Sequence, residues 1–392
     1  VLTMAGAVYD PGWVLIDDAG LIAGVGRWKE GEVFFPAGTE IINAQGKVVM
    51  PGLVEAHCHV GILEEIYRDD GDDLNETTDP VTPHLRAIDA INPEDVAFND
   101  ALLGGVTTLG TGPGSANVFG GETAVLKSCP SPVVDRMVLR QPAGLKIALG
   151  ENPKRIYGGQ QKSPRTRMAT AALLRQTLVA AENYGRRLGG EILAEDNKGK
   201  TASHPERDLK LEAVLRALRG EIPVRAHAHR ADDIMTAIRI ADEFGLRLTI
   251  EHGTEAHKVA PELAARNIPV VVGPLLSNRS KVELKDKDFR TPLLLYEAGV
   301  KIAFMTDHPV TPIQHLWLCA ALAVKEGLPV EAALQAITIN AAEILGVADR
   351  VGSLERGKDA DILILSGAPL EISTRIEQVI INGKTVFEAR PA

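Results

Sequence analysis

Four short stretches of the sequence carry side chains that hold metals, and each sits at the end of an apolar run. The first is Leu53-Val-Glu-Ala-His57-Cys-His59. Alternate residues on a β-strand share a face, so His57 and His59 point the same way and Cys58 points the other. Two converging imidazoles make up most of a zinc site. An isolated His-x-His also arises by chance, but three further runs end in the same kind of residue: Arg225-Ala-His227-Ala-His229, Thr249-Ile-Glu-His252 and Ala303-Phe-Met-Thr-Asp307. Core packing alone gives no reason for histidine, histidine and aspartate to close three separate apolar strands. The pattern therefore reads as a metal centre built from His57, His59, His227, His252 and Asp307.

Several neighbouring residues keep two readings. His227 lies nearer its strand than His229 and is preferred as the ligand, which leaves His229 as a substrate contact or the start of the next helix. His308 adjoins Asp307 and should point elsewhere, either into a structural hydrogen bond or into the site. Lys146 lies in the apolar run Leu145–Leu149, where an unpaired lysine is costly to bury. It can snorkel or pair with a carboxylate, or carbon dioxide can carbamylate it into a bridging metal ligand. Glu151 is a competing bridge, and a single ion needs none. Gly110-Thr-Gly-Pro-Gly-Ser115 is either an anion-binding nest or a plain turn. Glu122 and Arg279 lie in expected loops of the active face and are candidate substrate contacts. The acidic stretch Asp69–Asp79 reads as a loop, either a solvated face or an attractor for a cationic substrate.

The elements that must position these residues alternate between strand and helix. Strands are expected at Leu53–His57, Val106–Gly110, Leu145–Leu149, Val224–His227, Leu248–His252, Val270–Val272 and Lys301–Thr306, with one more at either Ala124–Lys127 or Met137–Leu139. Between them, Ile234, Ile238, Ala241 and Phe244 line one stripe of a helix over Ala231–Phe244. Eight such units predict a parallel (β/α)8 barrel of TIM type over residues 51–346, whose active face is the C-terminal end of its strands. Residues 1–50 and 347–392 contain short β-prone runs: Trp13–Ile16 and Glu32–Phe35 at one end, then Asp361–Leu365, Glu377–Ile381 and Thr385–Phe387 at the other. Asn382-Gly383 between the last two is a hairpin signal. Neither end can form a core alone, so together they are expected to form one small β-sandwich.

Composition narrows the function. The chain has 392 residues, 45% of them apolar, and 42 Lys plus Arg against 52 Asp plus Glu give a net charge of −10. This balance argues against a nucleic-acid surface and against docking on anionic lipid. No apolar run is long enough to span a bilayer, and no signal peptide is visible. Three scattered cysteines suggest a reducing, cytoplasmic compartment. Position 1 is valine, so the native N-terminus is expected to be missing or processed. The expected partner is a small molecule, and a homo-oligomer is compatible with such a fold.

Val49-Met-Pro-Gly-Leu-Val-Glu-Ala-His57-Cys-His59, Thr338-Ile-Asn-Ala-Ala-Glu-Ile-Leu-Gly and Val351-Gly-Ser-Leu-Glu-Arg-Gly-Lys-Asp-Ala-Asp361 together resemble the metal-dependent amidohydrolase superfamily, most closely its imidazolonepropionase-related and prolidase-like branch. The resemblance covers nearly the whole chain. It implies a barrel plus a β-sandwich from both termini, and zinc (one or two ions) held by His57, His59, His227, His252 and Asp307. It also implies that in a binuclear centre Lys146 is carbamylated and bridges. Many deaminases of the family carry a glutamate shortly after the fifth-strand histidine. Here the segment is His227-Ala-His229-Arg230, which favours hydrolysis of an amide-like carbon–nitrogen bond, with deamination of a heterocycle or a catalytically silent metal-binding barrel as alternatives. In the hydrolytic reading Asp307 serves as general base and then general acid.

Overall fold

The computed structural model describes residues 1–66, 70–189 and 206–389; Asp69, the first residue of the acidic stretch, lies outside them. Near the N-terminus, strands β1 (Gly12–Ile16) and β2 (Ile22–Arg27) pair antiparallel. The expected strand at Glu32–Phe35 does not form. Its Phe35 ring instead stacks on Trp28 and meets Trp13 edge-on, at centroid distances of 6.0 and 5.7 Å. Phe35 thus serves an aromatic cluster rather than a ladder, while Phe34 is exposed. Strand β3 (Val48–Pro51) then leads into the barrel.

Eight strands make the central sheet: β4 (Leu53–Cys58), β5 (Val106–Thr111), β6 (Phe119–Lys127), β7 (Val138–Ala148), β8 (Val224–Ala228), β9 (Leu248–His252), β10 (Val270–Val272) and β11 (Ile302–Phe304). They lie side by side in sequence order. The two edges meet at the rim, where the Asp307 amide donates to the His57 carbonyl (3.2 Å) and the His59 amide donates to the His308 carbonyl (3.0 Å). The barrel is thus drawn closed by the backbone of its candidate ligand segments.

One strand departs from the expected parallel pattern. β6 runs antiparallel to both β5 and β7, while the other ladders are parallel. Only residues 112–118 join β5 to β6, which is too short for a crossover helix and long enough for a reversal. Both rival sequence segments for this region belong to the sheet: Ala124–Lys127 ends β6, and Val138-Leu139 opens an eleven-residue β7 that continues through Lys146.

Helices cover the sheet as the apolar spacing requires. Helix Ala231–Phe244 buries Ile234, Ile238 and Ala241 and stops at Gly245, whose φ of 64° makes a left-handed cap. Helix Ile339–Leu345 packs with Val54, Ala56, Val271, Ala303 and Met305 in one buried cluster. After it, β12 (Ile362–Leu365), β13 (Ile376–Ile381) and β14 (Lys384–Glu388) form a four-stranded antiparallel sheet with β3, in the order β14-β13-β12-β3. The β13–β14 turn is Asn382-Gly383, with φ 50° and 74°, the pair of positive values that a type I′ hairpin needs. Cys58, Cys129 and Cys319 are all free thiols.

The barrel and the C-terminal sheet are pinned together by a buried cation. Lys127, at the end of β6, reaches Asp359 and Asp361, both at 2.7 Å, and the Asn382 side chain at 2.9 Å. Burial pushes the Asp361 carboxyl up despite Lys127. At Asp359 burial acts the same way, but hydrogen bonds from Arg350 and Lys127 more than offset it. Lys127→Met keeps the side-chain length and leaves two buried carboxylates facing each other. Removing one partner of a buried ion pair costs about 3–5 kcal/mol. The variant should therefore unfold at a clearly lower urea concentration, and an unchanged midpoint would contradict the pinning role.

Candidate metal centre

The residues at the strand ends converge. His57 Nε2 and His59 Nε2 each lie 3.3 Å from Asp307 Oδ1. The His227 and His252 ring centroids are 4.2 Å apart, and His252 is 5.6 Å from His57. Two groups of side chains are close enough to share an ion: His57, His252 and Asp307, and His227, His229 and His252. His57, His59, His227, His229 and His252 are all buried.

Backbone geometry makes this convergence possible. In a regular strand Glu251 and His252 would face opposite ways, yet both reach the cluster. His252 has φ 73°, a left-handed value rare for a non-glycine residue, and it turns the strand end inward. Asp307 has φ 54° and does the same beyond β11.

The hydrogen bonds behind the rings set their tautomers. His59 Nδ1 lies 2.8 Å from the Gly112 carbonyl, His252 Nδ1 lies 3.0 Å from the Gly273 carbonyl, and His57 Nδ1 lies 3.2 Å from Glu251 Oε1. Each of these partners only accepts, so each Nδ1 carries the proton and each Nε2 turns a lone pair inward. Lone pairs then face one another and the Asp307 carboxylate across the space between them. His57 Nε2 and both nitrogens of His227 have no hydrogen-bond partner. An unsatisfied buried polar atom costs about 1–3 kcal/mol, and a cation placed between the rings would take up the His57 Nε2 lone pair and one from His227. The donor set therefore fits a divalent transition metal, with neutral imidazoles backed by carbonyls and a carboxylate.

Electrostatics divide the rings: burial lowers the His57 imidazole, but Glu251 and Asp307 outweigh it and raise it. Burial holds His227, His229 and His252 well below the usual imidazole pKa, so they are neutral, as metal ligands must be. Burial alone would raise the Asp307 carboxyl, but His252, His57 and His59 outweigh it and hold it well below its ordinary value.

Lys146 forms an ion pair with Glu251, whose other oxygen takes Arg225 Nε at 2.6 Å as well as His57 Nδ1. Glu251, Lys146 and Arg225 are all buried, and the surrounding His57, Lys146 and Arg225 hold the Glu251 carboxyl well below its usual range although burial opposes them. Glu251 is a functional residue that strand alternation hides. Its signal in the sequence is the pair of cations, Lys146 and Arg225, in apolar strands that need a buried anion. Glu283 is a second one: it sits in a one-turn 3-10 helix, almost fully buried, 3.7 Å from His229 Nε2 and 3.9 Å from His227 Nε2.

The remaining candidates divide. His229 joins the cluster, its ring 4.8 Å from His227 and 4.6 Å from His252, with Nδ1 2.8 Å from the Thr254 hydroxyl. Glu122 does not. It pairs in register with Leu145 rather than Lys146, so it faces away from the cluster and forms an ion pair with Arg216 of helix Leu209–Leu218. Arg279 does not face the centre either, because its guanidinium donates to the Lys285 and Lys287 carbonyls at 3.0 and 2.9 Å and ties up its own loop. His308 is buried behind the rim. Its Nδ1 accepts from the Ile313 amide at 3.2 Å, and its Nε2 lies 2.9 Å from Glu65. Glu151 opens helix Glu151–Gly159 and donates its amide to Glu283. The glycine-rich turn after β5 contributes through the Gly112 carbonyl that orients His59.

A barrel whose strand ends gather five histidines and an aspartate around one space defines the class of metal-dependent barrel hydrolases. The chain belongs to the amidohydrolase family, whose profile matches residues 48–386. It is 31% identical over 370 residues to amidohydrolase tasK of Hapsidospora irregularis, covering 90% of this chain but only 38% of that protein's length. At greater distance it resembles an imidazolonepropionase of Mesorhizobium japonicum (27% identical; 83% of this chain, 80% of the relative) and a 5-methylthioadenosine/S-adenosylhomocysteine deaminase of Symbiobacterium thermophilum (26%; 93% and 83%). Among solved structures, an amidohydrolase from Thermotoga maritima MSB8 shares 46% identity and superimposes with a TM-score of 0.87, covering 96% of this chain and 95% of the other. The protein is thus a hydrolytic enzyme acting on carbon–nitrogen bonds. Among the described residues, no helix is long and apolar enough to cross a membrane.

Proposed function

We propose that the protein uses zinc to hydrolyse the amide or cyclic-amide bond of a small molecule or an amino-acid or peptide derivative, with Asp307 carrying the proton. The observation that supports this most is the set of inward Nε2 lone pairs of His57, His59 and His252 around the Asp307 carboxylate. Zinc held by these residues would supply a Lewis acid that polarises a carbonyl and brings the pKa of water from 15.7 to about 7. The chain supplies the rest. Glu251 and the Gly112 and Gly273 carbonyls hold three imidazoles in the ligating tautomer. Asp307 takes a proton from the attacking water and returns it to the departing nitrogen, so the carbon–nitrogen bond breaks with no net change at the carboxylate.

His227-Ala-His229-Arg230 places no carboxylate just after the fifth-strand histidine, which supports amide hydrolysis over release of ammonia from a ring. Chelation followed by dialysis should abolish turnover of a lactam, imidazolone and N-acyl-amino-acid panel, and added zinc should restore it. Turnover that survives complete metal removal would refute the proposal. Ammonia release from heterocycles, with no amide hydrolysed, would establish the deaminase reading in its place.

A further inference from the structure

One carboxylate beside the centre lacks the partner that burial demands. Glu283 lies in the 3-10 turn Val282–Leu284 and is almost fully buried. Its Oε2 accepts from the Glu151 amide at 3.0 Å, which fixes the carboxylate in place. Gly150 leaves it the room, since a Cβ there would come within 2.9 Å of Oε2. The other oxygen, Oε1, is buried, and no described residue donates a hydrogen bond to it. It stands at the strand-end cluster, 3.7 Å from His229 Nε2 and 3.9 Å from His227 Nε2. A buried polar atom of this kind calls for a partner from outside the chain.

The neighbouring charges indicate which partner. Asp233, whose Oδ2 also crowds the Gly150 position, already has a cation, because Arg167 Nε lies 2.9 Å from its carboxylate. Glu283 has only Lys281 Nζ, 3.7 Å from Oε1, beyond hydrogen-bond distance and on a partly exposed side chain. Lys281 thus marks a place where a nitrogen cation fits, and its open position lets another take over. A loose pair with a partly exposed lysine contributes little, whereas a charge-assisted hydrogen bond to a fixed carboxylate is a strong polar contact.

Resting on the hydrolase reading above, we propose that Glu283 selects substrates carrying a positively charged nitrogen beside the scissile carbonyl, and that Lys281 competes with that nitrogen for Oε1. The substrate N–H donates to Oε1 and supplies the missing partner. Because Oε1 stands next to two rings of the centre, the charge belongs close to the reacting carbon and not at the far end of a long molecule. An analogue without the cation leaves the oxygen bare, and a site built around a buried polar group rejects such analogues.

The test compares the zinc-loaded wild type, Glu283→Gln and Lys281→Met on paired anilides. One series is aminoacyl, with a free amine on the carbon beside the carbonyl; the other carries a methyl group in place of that amine. The wild type should favour the amine series by about tenfold or more in kcat/KM. Glu283→Gln should erase this preference, with the loss for the amine series in KM. Lys281→Met should widen the preference by about two- to fivefold. A merely structural role would slow both series alike and leave the ratio where it was. Calorimetry with the same anilides on chelator-stripped protein should give the same order as affinity, independent of turnover. If Glu283→Gln does not fold, the direction of the change in Lys281→Met decides. Equal handling of both series by the wild type, or a preference that survives Glu283→Gln, overturns the proposal and leaves the hydrolase reading standing. A lower zinc content in Glu283→Gln makes Glu283 a metal ligand and overturns it too. If the wild type hydrolyses no amide at all, the hydrolase reading falls, and the calorimetric preference alone upholds or overturns the role of Glu283.

Discussion

Asp307→Asn should reduce amide turnover by about a thousandfold or more while leaving the metal-free protein as stable as the wild type. General acid–base catalysis alone contributes about 10²–10⁴, and loss of a charged ligand weakens the ion as well. Asparagine suits this position because it tolerates the left-handed backbone that Asp307 adopts at φ 54°; alanine would mix backbone strain into the result. The Asp307 carboxylate lies against His57 and His59, where the amide cannot take up a proton from water and return it. The variant should therefore lose kcat, show reduced zinc content, and melt within a few degrees of the wild type when both are stripped of metal. Wild-type turnover would remove Asp307 from the chemistry. A collapsed melting temperature in the metal-free state would show that it acts mainly in the fold.

The parts of the centre legible in the sequence are those that obey strand periodicity. His57, His59, His227, His252 and Asp307 end apolar runs, and the barrel brings such ends together on one rim. His227 and His229 were separable only by distance from the strand, and the structure brings both to the cluster because β8 stops at Ala228 and the next residue turns in beside His252. Glu251 was hidden by the same periodicity, since only the positive φ of His252 lets two consecutive residues face one space. Glu283 lies in a segment with no period at all. Glu122 and Arg279 illustrate the converse. Both sit in segments assigned by the sequence to the active face, but ladder register sends one outward and a loop's own carbonyls bind the other. The reversed β6 follows from the length of one connection, a constraint the alternation of elements does not carry.

Glu251→Gln is expected to have the largest effect on stability, and for a reason separate from catalysis. The carboxylate is fully buried and is shared by Lys146, Arg225 Nε and His57 Nδ1. The Arg225 guanidinium also donates to the Ala56 carbonyl at 2.7 Å, so β4, β7, β8 and β9 meet at this one anion. Glutamine keeps the shape but leaves two buried cations side by side without a counter-charge. Breaking a buried pair costs about 3–5 kcal/mol, and two cations share this one. At roughly 2–4 °C per kcal/mol for domains of about 150–250 residues, and less for a larger barrel, the metal-free melting temperature should fall by several degrees. His57 also loses the acceptor that fixes its tautomer, and disturbing such a partner lowers metal affinity or activity by about 10–100-fold. The two effects separate in the double variant Lys146→Met, Glu251→Gln. Removing one orphaned cation should restore much of the lost stability, because neighbouring substitutions in one network are not additive, while the zinc affinity stays low because His57 still lacks its anion. If the double variant is no more stable than Glu251→Gln alone, the buried charges are not what holds these four strands together. If it regains zinc affinity as well, Glu251 does not orient His57.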